Sequence, residues 1–289
     1  MSIGKAEYKT QEKVIKFFKN KNILDYAYIG NLKDKSNKNI IAERLEAFLK
    51  GQGYSETVAR RAIDELVRTA GDTQHDIYNV NKNVYELLKY GVKVRPNADS
   101  APVTVYLIDF ENPTNNDFAI AEEVTIIEKQ EKRPDIVIYL NGIAVSVIEL
   151  KKSSVNVSLG IRQNLTNQKK EFIESFFSTV QFCMAGNEIE GLRYGTLKTK
   201  EKYYMEWKPD GFFANEDERD LVDIRIQNKC MEFDNLLLEQ VYSMYDKERF
   251  IDLIHNFIVF DKGIKKVCRY NQFYGIKRAQ NRIRKRRMG

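Results

Sequence analysis

Residues 133–154 read RPDIVIYLNGIAVSVIELKKSS, and they carry the strongest structural signal in the chain. Two runs rich in β-branched residues, 135–140 and 143–150, flank Asn141-Gly142, and an Asn-Gly pair between such runs is typical of a β-hairpin. Both faces of each predicted strand are apolar, as in strands that are covered on both sides of a sheet. The hairpin is therefore predicted to lie at the centre of a sheet.

Three charged residues interrupt this apolar pattern. Asp135 begins the first strand, and Glu149 and Lys151 stand at the end of the second. Burying such charges is costly unless they are paired or bound to a cation. Mg²⁺ prefers oxygen ligands and commonly takes one or two carboxylates, so Asp135 and Glu149 are candidate metal ligands. Lys151 could hold or deprotonate an attacking water, and the nearby carboxylates keep it charged, which favours holding.

Simpler structural roles stay open for the same residues. Asp135 follows Pro134 and could be only the first residue of a strand, while Glu149 and Lys151 could form an ion pair at a sheet edge. The apolar context on both faces favours a buried site with a chemical role.

The register of the hairpin decides whether the two acids can cooperate, because side chains alternate along a strand. A two-residue loop that pairs Leu140 with Ile143 projects Asp135 to the face opposite Glu149. A three-residue loop with a left-handed Gly142 shifts the register by one residue and brings both carboxylates to one face. We therefore predict the three-residue loop or an equivalent bulge.

The remaining sequence predicts helices on both sides of a sheet region. Residues 40–50 and 55–70 have apolar stripes at helical spacing, with Ser55 as the N-cap of the second helix. A helix is also predicted over 158–175 and mostly helical structure beyond residue 219, with further strands at 103–109, 118–127 and 178–185 and a hairpin within 194–207. This order indicates an α/β fold with a mixed central sheet flanked by helices and a helical C-terminal extension.

The composition limits the class of protein. With 43% hydrophobic and 30% charged residues, the 289-residue chain can form a core under a well solvated surface. It has no apolar run of about 18 residues and no N-terminal secretory signal, so no membrane span is expected. Three widely spaced cysteines, Cys183, Cys230 and Cys268, favour reduced thiols in the cytoplasm over disulfides or a zinc site. The isolated His75 and His255 add no metal-binding pattern.

The charge balance is compatible with a nucleic-acid partner. The net charge is +6, and seven cations without an acid stand between Lys277 and Arg287. Such a run could follow phosphates, although a solvated helix end explains it equally well. Trp207, Tyr203 and Tyr204 could stack on bases, but packing within a hairpin is the simpler role.

The block of residues 133–154 strongly resembles the nuclease core of the R subunit of type I restriction-modification enzymes, within the PD-(D/E)xK nuclease superfamily. The similarity extends to NNDFAIAEEVTI at 115–126 and FFSTVQFCMAGNE at 176–188, and it continues through 246–280. It covers residues 115–289 well and the N-terminal helices loosely.

The resemblance implies a restriction-endonuclease-like core and a Mg²⁺-dependent endonuclease that acts on double-stranded DNA. Asp135 and Glu149 match the metal-binding acids of the family, and Lys151 matches its catalytic lysine. Gln163 matches a glutamine of the next helix, whereas position 167 is asparagine instead of the family's tyrosine. Some relatives add an acid from an N-terminal helix, and Glu43 or Glu46 could serve.

The resemblance also implies a division of the chain. Residues 1–218 would form the endonuclease domain, with N-terminal helices in 1–75 and the nuclease core in about 100–215. Residues 219–289 would be a helical linker and the start of a motor domain. Because no GxxxxGK[ST] loop occurs, the chain is expected to be an N-terminal fragment, with ATP needed only by the full-length subunit.

The implied partners are DNA and the modification and specificity subunits of a restriction complex. Two other functions stay open. The first is a DNA-binding or subunit-docking module that keeps the nuclease fold without turnover. The second is a structural adaptor that binds no divalent ion.

Overall fold

The hairpin of residues 133–154 lies at the centre of a seven-stranded sheet. The computed structural model describes residues 3–97, 99–208 and 220–288. In the order of their pairing, the strands are β1 (Ala27–Asn31), β4 (Phe118–Glu122), β7 (Ile136–Leu140), β8 (Ile143–Leu150), β9 (Phe182–Asn187), β10 (Gly191–Gly195) and β11 (Met205–Glu206). β1 is parallel to β4 and β8 is parallel to β9, while the other pairs are antiparallel. The predicted mixed sheet is confirmed.

Within the described residues, three further strand pairs lie outside this sheet. They are β2 (Val92–Val94) with β3 (Val103–Val105), β5 (Ile126–Ile127) with β6 (Glu131–Lys132), and β12 (Ile258–Asp261) with β13 (Ile264–Val267). The helices are α1 (Ile3–Lys19), α2 (Ala42–Gly51), α3 (Glu56–Ala70), α4 (Ile77–Tyr90), α5 (Ser158–Asn167), α6 (Leu221–Cys230), α7 (Leu236–Tyr245), α8 (Lys247–Asn256) and α9 (Tyr270–Met288). The predicted α/β fold with a helical C-terminal extension is confirmed.

Both faces of the central strands are buried. Residues such as Ile138 and Ile148 pack beneath α1, α2, α3, α7 and α8 in the larger core. Val137 and Val147 point to the other face, where they pack with Phe176 and Phe177 from a 3₁₀ turn behind α5. Each face of the hairpin therefore contributes to a separate apolar layer, as its two-sided pattern predicts.

The predicted three-residue loop is wrong, because Leu140 pairs with Ile143 across the two-residue turn Asn141-Gly142. Both turn residues have positive φ, 52° and 81°, as a tight hairpin turn requires. The side chain of Asn141 holds this turn, since it donates to the carbonyl of Leu107 and accepts from the backbone N–H of Asp117.

A bulge inside β8 supplies the register change instead. Tyr139 pairs with Ala144 but Ile138 pairs with Ser146, so Val145 is an extra residue. Beyond the bulge Ile136 pairs with Ile148, which places the next positions, Asp135 and Glu149, opposite each other. The alternative that we named, a bulge equivalent to the longer loop, is therefore the one observed.

Several segment predictions need correction. The N-terminal region contains β1, and α4 was not predicted. The strand expected at 103–109 stops after β3, and the helix expected over 158–175 ends at Asn167. Asn164, Thr166 and Asn167 are weak helix formers, and the carbonyl of Asn167 accepts from Ile173 N–H, which turns the chain. Ser55 caps α3 as predicted.

The C-terminal extension is not wholly helical, because it includes the β12–β13 hairpin, and it packs into the same large core as the sheet. The predicted boundary at residues 218 and 219 and the side chains of Arg286 and Arg287 lie outside the described residues. In the described part of the chain, no helix combines the length and apolar character needed to cross a membrane.

Candidate active site

Asp135 and Glu149 meet at the end of the β7–β8 hairpin on one face of the sheet. Their side-chain carboxyls are within hydrogen-bonding reach of each other. Oδ2 of Asp135 also accepts a hydrogen bond from the backbone N–H of Leu150 at 2.7 Å. Glu149 is fully buried, whereas Asp135 is partly exposed at the entrance. The arrangement places one carboxylate inside the sheet and one at its rim.

Burial raises the pKa of both acids, and the charge of Asp135 adds to its effect on Glu149. Burial raises the pKa of Asp135 to about 6, although the charge of Lys151 and the N–H of Leu150 act in the opposite direction. Burial and the charge of Asp135 together raise the pKa of Glu149 well above its ordinary value. Two carboxyls in this position cannot both be ionised cheaply without a nearby cation.

Lys151 is the third member of the cluster and stays charged. Burial lowers the pKa of this amine, but the hydrogen bond to Glu7 and the charges of Asp135 and Glu149 outweigh burial and raise it. Nζ of Lys151 lies 2.6 Å from Oε1 of Glu7 on α1. Lys151 is therefore suited to hold an anion or a water molecule rather than to remove a proton.

Glu7 is the acid of an N-terminal helix that contacts the cluster, whereas Glu43 and Glu46 do not. Glu43 is exposed, and Glu46 pairs with Lys50 and Arg60. Their helix, α2, packs against the hairpin turn at Gly142, which lies about 20 Å along the strand from Asp135. The loose N-terminal resemblance offered no signal for Glu7.

Helix α5 covers Glu149 through a residue that the sequence did not single out as functional. Nδ2 of Asn167 donates to Oε1 of Glu149 at 3.2 Å. α5 approaches this closely because Gly160 has no side chain, and an added Cβ would lie 3.0 Å from that of Ala185. Gln163 is half-buried on the same helix, and in the described structure it makes no hydrogen bond to Asp135, Glu149 or Lys151. Its functional role stays a prediction.

Tyr204 packs against α5 and Ala185, near the buried Glu149. Its ring lies on β10 at Gly195, where an added Cβ would meet it at 3.1 Å. Its hydroxyl is buried and has no hydrogen-bond partner among the described residues. Burial and the charges of Cys183 and Glu149 raise its pKa. Tyr204 is therefore packed beside Glu149 and is not placed to stack on a base.

Trp207, His75 and His255 make contacts that lie away from the carboxylate pair. Trp207 is buried and packs on Phe273 and Tyr274, which leaves no free face for a base. His75 pairs with Asp72 at the surface, and His255 stacks on Phe110. Neither histidine contacts the carboxylate pair.

The donor set of the site fits a magnesium ion. Oε2 of Glu149 is buried without a hydrogen-bond partner among the described residues, beside a second carboxylate and a lysine. Among those residues, no cluster of three or more His, Cys, Asp or Glu side chains is arranged to hold a metal. A two-carboxylate set is what Mg²⁺ commonly takes, with water and substrate as the other ligands.

The sequence of this chain is similar to those of known proteins. The family model for the N terminus of type I restriction enzyme R proteins matches residues 5–202. The type I restriction enzyme HindI endonuclease subunit of Haemophilus influenzae is 28% identical over 233 residues, which cover 75% of this chain and 20% of the relative. The putative type I restriction enzyme MjaIXP endonuclease subunit of Methanocaldococcus jannaschii is 25% identical over 234 residues, 75% of this chain and 22% of the relative. The chain thus spans about a fifth of the length of these curated relatives.

Proposed function

Because the chain belongs to the family of type I restriction enzyme R protein N-terminal regions, we propose that it is the Mg²⁺-dependent endonuclease module of such a subunit. Its reaction would be the hydrolysis of phosphodiester bonds in double-stranded DNA by a PD-(D/E)xK nuclease. The observation that carries the proposal is the convergence of Asp135, Glu149 and Lys151 within the segment that matches the family.

Asp135 and Glu149 would hold the metal ion, and Asn167 would keep the carboxylate of Glu149 in one orientation. A bound Mg²⁺ supplies neutralisation of the phosphate charge and a bound water of lowered pKa. The raised pKa of each carboxyl shows that its ionised form is unfavourable here, and a bound cation would stabilise that form. The two carboxylates would therefore be more stable with a bound cation between them than side by side without one.

Lys151 would position the attacking water and neutralise charge on the phosphate. Its pKa is raised and its ammonium is held by Glu7, so it donates hydrogen bonds from a fixed direction. A donor fixed in this way stabilises charge that develops in the transition state without reorganising. Gln163 is proposed to assist by contacting DNA or water at the half-exposed side of α5.

The wider assembly is proposed from the relatives alone. Both relatives described above are named as endonuclease subunits of type I restriction enzymes. An ATP-driven motor would follow in the full-length protein, and the modification and specificity subunits would be its partners. Cys183, Cys230 and Cys268 are free thiols, in keeping with a proposed cytoplasmic location.

The test has two parts. Calorimetry with Mn²⁺ on this chain should show binding that Glu149→Ala abolishes and the exposed Glu171→Ala retains. In the complete enzyme, Glu149→Ala or Lys151→Ala should abolish DNA cleavage while ATP hydrolysis persists. Retained Mn²⁺ binding by Glu149→Ala, or unchanged cleavage, would refute the assignment and favour a docking module without turnover.

A further inference from the structure

An open groove of about 770 Å³ lies at the C-terminal end of α5. One wall is the turn that follows α5, residues 168–171, and the other is the loop after β10, residues 198–201. Its lining includes four lysines, Lys169, Lys170, Lys198 and Lys200. We call this feature the lysine groove.

The lysine groove is positively charged after its internal ion pairs are counted. Glu174 pairs with Lys198 at 2.8 Å, and Glu201 pairs with Arg162 at 2.7 Å. With Glu171, three acids therefore stand against the four lysines and Arg162, which leaves a net charge of about +2. Lys169, Lys170 and Lys200 are exposed and form no ion pair within the described part of the chain.

The groove adjoins the candidate active site through two consecutive residues, Asn167 and Gln168. Its first lining residue beyond α5, Gln168, follows Asn167, which donates to Glu149. Oε1 of Gln168 accepts from the backbone N–H of Lys198 at 2.6 Å, so one side chain ties the two walls together. Lys198 has a left-handed φ of 55°, which the loop holds through this bond.

A second connection lies on the side of Asp135. Lys132, three residues before Asp135, places its ammonium 4.3 Å from the centre of the Phe172 ring. Phe172 directly follows the 168–171 wall of the groove. Lys132 therefore adds a cation beside the 168–171 wall, on the chain segment that leads to Asp135.

We propose that the lysine groove binds the phosphate backbone of the DNA that flanks the bond to be cleaved. This proposal rests on the proposed nuclease function and assigns the surface that would hold its substrate. Lysines are point charges that attract phosphates by releasing counterions, without reading base edges. The exposed Lys169, Lys170 and Lys200 are suited to such contacts, which would hold DNA in register with the carboxylates irrespective of its sequence.

The test measures binding of a short DNA duplex to this chain by fluorescence anisotropy over a range of salt concentrations. Lys169→Ala/Lys200→Ala should lower the slope of log affinity against log salt by about two. Lys169→Glu/Lys200→Glu should weaken binding at least tenfold at about 100 mM salt. The exposed pair Lys21→Glu/Lys93→Glu has the same change in net charge and should lose much less affinity.

Two readouts separate this proposal from the nuclease assignment. The lysine variants should bind Mn²⁺ like the unsubstituted chain, whereas Glu149→Ala should lose Mn²⁺ and keep DNA affinity. Weakened DNA binding without any Mn²⁺ binding by the parent chain would support the groove and refute the nuclease. An unchanged affinity and salt slope in the groove variants would overturn the groove proposal, and would point to a protein partner for this surface.

Discussion

The side-chain amide of Asn167 donates a hydrogen bond to Oε1 of Glu149 at 3.2 Å. The donor is neutral, so it orients the buried carboxylate without neutralising it, and Oε2 stays without a partner among the described residues. The resemblance placed a tyrosine at this helix position, and asparagine keeps a hydrogen-bond donor there. Asn167 is therefore a positioning residue for the proposed metal ligand.

Replacing Asn167 should weaken both metal binding and folding. In Asn167→Ala, Glu149 loses its only side-chain donor from α5, and supporting contacts of this kind commonly change metal affinity by about 10–100-fold. The free energy of unfolding should fall by about 1–2 kcal/mol, the usual effect of losing one buried hydrogen bond. Mn²⁺ calorimetry and thermal unfolding measure the two effects separately.

Gln163 on the same helix is the matched control. It contacts neither acid in the described structure, so Gln163→Ala should keep the Mn²⁺ affinity of the parent chain. Its proposed contribution would appear only in DNA cleavage by the complete enzyme. Equal losses of Mn²⁺ affinity in Gln163→Ala and Asn167→Ala would contradict the positioning role assigned to Asn167.

Glu149→Gln should stabilise the metal-free protein at neutral and alkaline pH. The pKa of Glu149 is raised in the folded state by burial and by Asp135. A carboxyl of this kind supports folding below its unfolded pKa and loses that contribution as the pH rises through the folded pKa. Removing the charge should therefore add about 1–2 kcal/mol at pH 8, which urea unfolding can measure.

The same comparison near pH 4 provides the internal control, because Glu149 is then protonated in the folded state and the gain should largely disappear. Glu171→Gln, at an exposed position, should change stability little at either pH. A gain for Glu149→Gln that does not depend on pH would show that repacking, and not charge, is its cause. Saturating Mg²⁺ should reverse the order and make the parent chain the more stable of the two.

Metal binding should strengthen as the pH rises through about 6. The pKa of Asp135 is raised to about 6 and that of Glu149 is also raised, so both must release protons before they bind a cation. Mn²⁺ affinity should be at least tenfold lower at pH 5.5 than at pH 7.5. Calorimetry in two buffers with different ionisation heats should reveal proton release near pH 6, and a constant affinity over this range would rule out ligation by these acids.

The three charged residues of the site could be predicted from the sequence because they lie within 17 positions of one hairpin. The pattern of two apolar faces identified both the central strands and the costly charges at their ends. Glu7 could not be predicted in this way, since it lies 144 positions from Lys151 and reaches it only through the packing of α1. The position of Tyr204 near Glu149 could not be predicted either, because it depends on the path of the chain after β10.

The turn of the hairpin can be predicted from local sequence, but the bulge in β8 cannot. Asn141-Gly142 indicates a two-residue turn, and that turn forms, yet Asp135 and Glu149 share a face only in another register. The one sequence signal for the bulge is Ser146, a polar residue in an apolar strand. Its Oγ lies 2.7 Å from Oη of Tyr245 on α7, on the same face as Val145. This contact holds Ser146 on the same face as the extra residue, Val145. It depends on the packing of α7 and could not be predicted from the strand sequence.

The hairpin turn should be sensitive to a single methyl group. Gly142 has a φ of 81°, and a Cβ there would lie 2.6 Å from the carbonyl oxygen of Ile41 and 2.9 Å from Cβ of Arg44. Gly142→Ala should therefore lose about 1 kcal/mol for the left-handed backbone and a further 1–3 kcal/mol for the displacement of α2. Urea unfolding measures the sum.

Gly53→Ala isolates the steric part of this effect. Gly53 has a similar φ of 87°, but no atom lies within 4 Å of the Cβ that would be added. It should lose only the backbone contribution of about 1 kcal/mol, so the difference between the two variants reports the contact between α2 and the turn. Because α2 packs at the end of the hairpin remote from Asp135, Gly142→Ala should keep Mn²⁺ affinity while it lowers stability. Equal destabilisation by the two substitutions would mean that α2 yields freely to the added methyl group.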